Sequence, residues 1–261
     1  MRAETRGYQH LDAYPEPEVL IARLDRVETY PMYTALREAS YGALPGGTGV
    51  DVGCGHGRAV ADLVERGIPA IGVDASQVIV DAAQRRFPAH RFTVADATDL
   101  PFASGTLQWY RAERLYQHLS DPAAAITEAK RVLAPGGRIV ILDGDLDSIA
   151  MTSSDPHLSR RLLDLLVDDL PQGRIGTRIL GLLTDAGFTD VTVSAHPMVS
   201  TDLDEVRAYF HEPAVALAIE AGMISAVEAE AWFADLDEHA RTNRFLFAYI
   251  AFVTLGTAPS P

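Results

Sequence analysis

A single cysteine, Cys54, in 261 residues leaves no partner for an internal disulfide. A lone thiol fits a reducing compartment and suggests no redox role. No apolar run approaches the roughly 20 residues of a membrane span, and no charged stretch leading into an apolar segment opens the chain. These gaps predict a cytoplasmic protein without membrane association. Basic residues are also scarce, 22 against 36 acidic ones for a formal net charge of −14. Such a surface repels phosphate backbones, so nucleic acid is not the expected partner. Internal repeats are missing as well. What remains is an ordinary globular composition, 48% hydrophobic, sufficient for one core with residues to spare for a cap.

The chain is organised around Gly49-Val-Asp51-Val-Gly53-Cys54-Gly55-His56-Gly57-Arg58. This is a short apolar strand that breaks into three alternating glycines and then a helix with apolar residues at 59, 60, 63 and 64. Glycine at 53, 55 and 57 permits positive φ and lets a ligand lie directly on the backbone. A second strand, Ala70-Ile-Gly-Val-Asp74, ends in an acid about 20 positions past the glycines, where a doubly wound sheet places a ribose-binding carboxylate. The spacing is neither the dinucleotide GxGxxG nor a loop ending in Gly-Lys-Ser/Thr. Asp51 is an odd choice for gripping a pyrophosphate and would suit a cationic ligand.

Val50-Asp-Val-Gly-Cys-Gly-His-Gly57 resembles motif I of the class I S-adenosylmethionine-dependent methyltransferases, and four further segments are similar to that family's motifs in the same order. They are Gly72-Val-Asp74, Phe92-Thr-Val-Ala-Asp96-Ala97, Arg114 to Pro122, and Leu133 to Arg138. The resemblance covers residues 44 to 200 well and the rest more loosely. It implies S-adenosylmethionine as cofactor, with contacts from Asp51, Gly53, Cys54, Gly55, Gly57, Asp74, Ala75, Asp96, Ala97 and Arg111. In that scheme Asp74 takes the ribose, Asp96 the adenine amine, and Ala97 donates a backbone N–H.

Strands and helices alternate from Gly49 to Asp143, which predicts a parallel sheet with helices on both faces. The family implies a Rossmann-like, mostly parallel sheet of seven strands. Four regions of one domain are expected: a helical lid over 1–45, the cofactor-binding core over 46–200, a helical cap over 201–243, and a final strand and tail over 244–261. Strand 5 is read as Arg138 to Asp143, followed by a helix from Asp155 to Leu170 and another from Arg174 to Ala186. Strand 6 runs from Asp190 to Ser194 or slightly beyond, and strand 7, from Phe245 to Thr254, lies antiparallel beside it. Ser76, Asp121 with Pro122, and the Ser225/Glu228 capping box mark helix starts.

An insert outside the carboxyl ends of the strands would roof the acceptor site, which implies a small-molecule acceptor. The candidates for contact with it are Tyr14, Glu113, Asp145, His196, Tyr209 and Trp232, with Tyr8, His10, Tyr30 and Tyr33 as further lid residues that could equally pack between helices. Methyl transfer needs alignment and exclusion of water, and a general base only when the acceptor must lose a proton. His118 is the first candidate for that base; it could instead cap a short helix or contact cofactor through its backbone. His10, His196 and His211 are secondary.

Gln108 stands where the family often has an acid, and Arg111-Ala-Glu113-Arg114 replaces small or hydroxyl residues. Buried charges need partners, so an Arg111–Glu113 or Arg114–Glu113 pair is expected, the alternative being an arginine that holds a substrate carboxylate. An Asn/Asp-Pro-Pro-aromatic motif of base-amine methylation is absent. Asp143, Asp145 and Asp147 alternate beyond strand 5; they could hold magnesium, attract an amine or cap loop backbone, and no metal is expected. A cyclase-type enzyme or a binding protein that keeps the cofactor without transferring methyl is the alternative function, and oligomeric state stays open.

Overall fold

The computed structural model describes Asp12 and residues 17–260. Tyr8, His10 and Tyr14 lie outside the described residues. Two helices lead in, α1 (Pro17–Glu28) and α2 (Pro31–Tyr41). The alternating unit follows as β1 (Gly49–Val52), α3 (Arg58–Glu65), β2 (Ala70–Asp74), α4 (Gln77–Arg86), β3 (Arg91–Val94) and β4 (Leu107–Glu113). A turn of tighter helix at Tyr116–His118 precedes α5 (Pro122–Val132) and β5 (Leu133–Met151). The rest comprises α6 (Pro156–Asp169), α7 (Ile179–Asp185), β6 (Thr189–Ser200), α8 (Leu203–Val206), α9 (Glu212–Glu220), α10 (Ala226–Arg241) and β7 (Phe247–Thr257).

The seven strands form one sheet in the order β3-β2-β1-β4-β5-β7-β6. β1 to β5 run parallel, and β7 is antiparallel to both β5 and β6. Successive strand residues point to opposite faces, so β5 feeds two cores. Val140 and Leu142 join α2, α6 and the α8–α10 segment, while Ile139 and Ile141 join α5 and α7. Burial on both faces explains why these central strands read as continuous apolar runs.

Local signals place the helix starts as the sequence suggested. Ser76 accepts from Ile79 N, Asp121 from Ala124 N, and Ser225 with Glu228 completes a capping box. Other expectations need correction. β5 continues to Met151 and β6 to Ser200, because β7 keeps pairing with both of them, past a bulge between Asp145 and Ala150 on the β5 side. β7 itself is displaced toward the C-terminus, at Phe247–Thr257. The helix expected from Arg174 starts only at Ile179. Gly176 packs so closely on β5 that a Cβ would lie 2.8 Å from the Gly144 carbonyl carbon, and its N–H bonds the Gly144 oxygen, which holds this stretch in turns. The insert between β6 and β7 is helical in several pieces, the last starting at the expected Ser225 cap. One π-helical turn at Arg207–His211 separates α8 from α9, and Gly222 at φ +66° separates α9 from α10.

Candidate functional site

The carboxyl ends of β1, β2 and β4, with the segments that follow β3 and β4, surround a cavity of about 580 Å³. That is a volume suited to a cofactor and a small ligand. Its floor is the glycine turn. Gly53, Gly55 and Gly57 take φ of +69°, +53° and +88°, a region that costs any other residue about 1–2 kcal/mol. Their roles differ. A Cβ on Gly55 would meet nothing within 4 Å and would stand in open space, whereas one on Gly57 would strike the Phe92 ring at 2.5 Å. Gly55 leaves room for a ligand, and Gly57 lets α3 pack on the sheet.

Asp74 closes β2 with both carboxylate oxygens on backbone, accepting from Gly55 N and Ser76 N at 3.1 Å each. Burial raises its pKa, and those N–H groups work against the rise. Asp96 accepts from the Thr98 N–H and hydroxyl at one oxygen. Ala75, Ala97 and Cys54 line the same cavity. An open cradle over glycine backbone, with a carboxylate at the end of β2 and another after β3, fits a nucleoside with a cationic tail.

The β4 side carries the charges. Asp51 and Arg111 are register partners on adjacent parallel strands and share a face, so Arg111 Nη1 reaches Asp51 Oδ1 at 2.6 Å. Glu113, two residues on and therefore on that face, accepts from Arg111 Nη2, while Arg111 Nε donates to Ser40. Each guanidinium nitrogen of Arg111 is thus occupied by protein. Although Arg111 and Asp51 line the cavity, their side chains are committed to one another, and Arg111 positions carboxylates instead of gripping a ligand. From α2, Arg37 Nε bonds Glu113 at 3.2 Å and its Nη2 lies 3.8 Å from Glu28. Burial alone would raise Glu113, but Arg37, Arg111 and Arg114 outweigh it and hold the carboxyl at about 2. Glu28 goes the other way: burial pushes it up to about 7 against the pull of Arg37 and Arg114.

His56 fills the last gap in the glycine turn. Arg86 meets its Nδ1 at 2.7 Å, and its Nε2 lies 3.4 Å from both Asp25 and Glu28. Burial lowers its pKa to about 4 against the attraction of Asp25. A neutral ring with Nδ1 accepting is consistent with that.

His118 lines the cavity beside Arg114, Leu115 and Tyr209. Burial, and then the charge of Arg114, bring its pKa down to about 4, and Gln117 Nε2 sits 3.2 Å from its Nε2. Its imidazole is neutral at physiological pH but weakly basic. The structure does not bring Asp145, His196 or Trp232 to this cavity. Asp145 accepts from Thr177 and from Asp147 N; His196, on the edge strand β6, pairs with Ser194; and Trp232 is buried on α10 with its indole N–H on Ser159 of α6. His211 is enclosed among Trp232, Phe245 and Phe247. Tyr33 is buried, with its hydroxyl meeting that of Tyr249 at 3.3 Å. The alternating aspartates diverge: Asp143 accepts from Tyr116 N, and Asp147 from Arg160 and Arg174. Among the described residues no group of three or more His, Cys, Asp or Glu is arranged to hold a metal.

Glu28, Arg37 and His56 were not singled out from the sequence. Arg37 had a signal: it lies on the α2 face that buries Met32, Tyr33, Leu36, Ser40 and Tyr41, and a charge on an apolar helix face calls for a partner.

A family described as "Methyltransferase domain" matches residues 50–141. Across 98% of its length the chain is 30% identical to an uncharacterised 37.1 kDa protein in transposon TN4556 of Streptomyces fradiae, covering 75% of that protein. It is 33% identical to the demethylmenaquinone methyltransferase of Beutenbergia cavernae over 48% of this chain, spanning half of that enzyme's length (50%). In fold it is similar to phosphoethanolamine N-methyltransferase 2 of Haemonchus contortus in complex with S-adenosylmethionine, with a TM-score of 0.62 at 16% identity over 97% of this chain and 60% of that one. The chain belongs to the class I S-adenosylmethionine-dependent methyltransferases. No helix among the described residues is long and apolar enough to cross a membrane.

Proposed function

We propose that the enzyme methylates a small-molecule acceptor of the secondary-metabolite kind in the cytoplasm, without metal or nucleic acid. The observation that carries this reading is one cavity in which the open Gly55, Asp74 and Asp96 meet His118, Arg114 and Tyr209. Asp74 would hold the ribose hydroxyls, Asp96 the adenine amine with Ala97 N–H beside it, and the backbone from Gly53 to Gly55 the amino-acid tail. Held there, S-adenosylmethionine would supply an electrophilic sulfonium methyl for the acceptor's lone pair. The protein aligns the acceptor and excludes water. Residues 17–45 act as a lid and 201–243 as a cap: Glu28 and Arg37 from the former and Tyr209 from the latter reach the cavity. His118, neutral but weakly basic, is the proton acceptor for an acidic acceptor group. The small-molecule methylation named for the Beutenbergia relative supports the acceptor class.

Calorimetric titration with S-adenosylmethionine and S-adenosylhomocysteine tests the assignment. Both should bind, and Asp74→Ala should weaken each by about 1–3 kcal/mol, the loss of charge-assisted hydrogen bonds. An unchanged affinity in the variant would remove Asp74 from the ribose role.

A further inference from the structure

Arg114 is the cation at the cavity that the protein itself leaves least satisfied. It is the first residue beyond β4, at φ +53°, and its own N–H bonds the Leu142 carbonyl at 2.7 Å. A long side chain in the left-handed region is strained, and such strain persists where the surroundings impose it. The guanidinium lies 4.6 Å from the centre of the Tyr33 ring. Its Nε is buried without a hydrogen-bond acceptor among the described residues. The nearest carboxylate, Glu113 Oε1, is 3.7 Å away, and the other oxygen of Glu113 already serves Arg37 and Arg111. One carboxylate is therefore divided among three guanidinium groups. Glu28, on α1, and Asp143, on β5, add little firm charge, because burial raises each pKa to about 7. Asp74 and Asp96 also line the cavity, but they stand at the end of β2 and after β3; even β2 is separated from β4 by β1, which by strand spacing is about 10 Å.

Around Arg114 stand Tyr33 of α2, Tyr209 of the insert and Tyr249 of β7, with neutral His118 on the turn after β4. Tyr33 and Tyr249 are buried behind the guanidinium, and Tyr209 is the ring of the three that lines the cavity, beside a partly desolvated cation and the His118 imidazole. A positive charge entering here would be repelled, so an amine acceptor is disfavoured. A planar group carrying a negative oxygen would complete the guanidinium and lie against Tyr209.

We propose that Arg114 recognises the acceptor through an oxyanion of a conjugated system, a phenolate or enolate, and so selects acidic oxygen-bearing acceptors over amines. The inference rests on the methyltransferase reading. It also matches the weak basicity of His118. An acceptor bound as its anion has already released its proton to solvent, so the weakly basic imidazole need not remove one and has only to hydrogen-bond the oxygen.

The probe is 4-nitrophenol, titrated against the protein saturated with S-adenosylhomocysteine and followed by its phenolate absorbance, with affinity for S-adenosylhomocysteine measured by calorimetry on each variant. The wild type should bind the phenolate about tenfold more tightly than the phenol, lowering the apparent pKa of the bound probe by about one unit. Arg114→Gln should abolish that preference and keep S-adenosylhomocysteine affinity within about twofold; Arg114→Lys, which restores charge without the planar fork, should recover part of it. Binding of only the neutral phenol, no binding, or a Gln variant that behaves as wild type overturns the proposal. A Gln variant that loses S-adenosylhomocysteine affinity assigns the guanidinium to the cofactor's carboxylate and also overturns it. Failure of the wild type to bind S-adenosylhomocysteine is a separate result that removes the cofactor assignment itself.

Discussion

His211 sits in a box of aromatic rings, with Trp232 at 5.5 Å and Phe247 at 5.7 Å between centroids, and neither ring nitrogen has a hydrogen-bond partner among the described residues. Burial first, and the charge of Arg207 second, lower its pKa from 6.5 to about 3. The sign of the linkage follows. The unfolded chain binds a proton below its ordinary pKa while the folded ring does not, so stability is lost as pH falls from about 6.5 toward 3. His211→Phe keeps a ring in the box and removes the uptake. Its stability at neutral pH should equal or exceed that of wild type, and by urea unfolding near pH 4 it should be ahead by about 2–4 kcal/mol. A variant that loses stability equally at both pH values would show that the ring nitrogens have partners after all. His211, raised from the sequence as a secondary base, is by the same argument a packing residue.

The glycine turn shows at the scale of an element how one motif divides its labour. Gly57→Ala forces a methyl against Phe92 and a non-glycine residue into φ +88°, so unfolding free energy should fall by about 2–3 kcal/mol. Gly55→Ala meets no neighbour and should cost about 1 kcal/mol of stability through φ alone, while weakening S-adenosylhomocysteine binding by more than Gly57→Ala does, as read by calorimetry. Equal effects of the two substitutions on both readouts would cancel the distinction. Such local chemistry is what the sequence carried well: the turn, Asp74 at the end of β2, and the caps at Ser76, Asp121 and Ser225 all act within a few residues. The far ends of β5 and β6 were not legible, because their length is set by β7, which pairs with them from about 100 and 50 residues away, and periodicity is silent about distant partners. Trp232 and His196 were misplaced for a related reason: an aromatic on an insert or a histidine on a strand reveals its element, while the side of the sheet it reaches depends on packing of α10 on α6 and on β6 forming the edge.

Across the whole molecule, a chain of buried charges joins the leading helices to the sheet: Glu28 and Arg37 from α1 and α2, then Glu113, Arg111 and Asp51. Glu28 and Arg37 also line a second, polar cavity of about 610 Å³, so the pair forms the partition between two spaces. Arg37→Met should destabilise the fold by about 3–5 kcal/mol, because carboxylates stay buried without their cation. Burial has raised Glu28 above its unfolded value, to about 7. Its contribution is therefore complete below about pH 4.5 and is lost as pH rises through 7, and without Arg37 that loss deepens. Urea unfolding at about pH 6 and 8 should show the larger penalty at the higher pH; a pH-independent penalty would mean that Glu28 takes no part.

The segment from β6 to β7 leaves and rejoins the sheet at a single rung, for Ser200 and Phe247 are register partners. Topologically it is a cassette. Any replacement must still present an apolar face to α6 and β5, as Leu203, Phe210 and Trp232 now do, whereas a change in its length adds only a slowly varying loop-closure entropy; β1 and β2, which lead to Gly55 and end in Asp74, keep their neighbours. Tyr209, which the cassette contributes to the cavity, can therefore be exchanged by descent or by engineering without rebuilding the nucleoside end, so the two halves of the site are free to evolve at different rates.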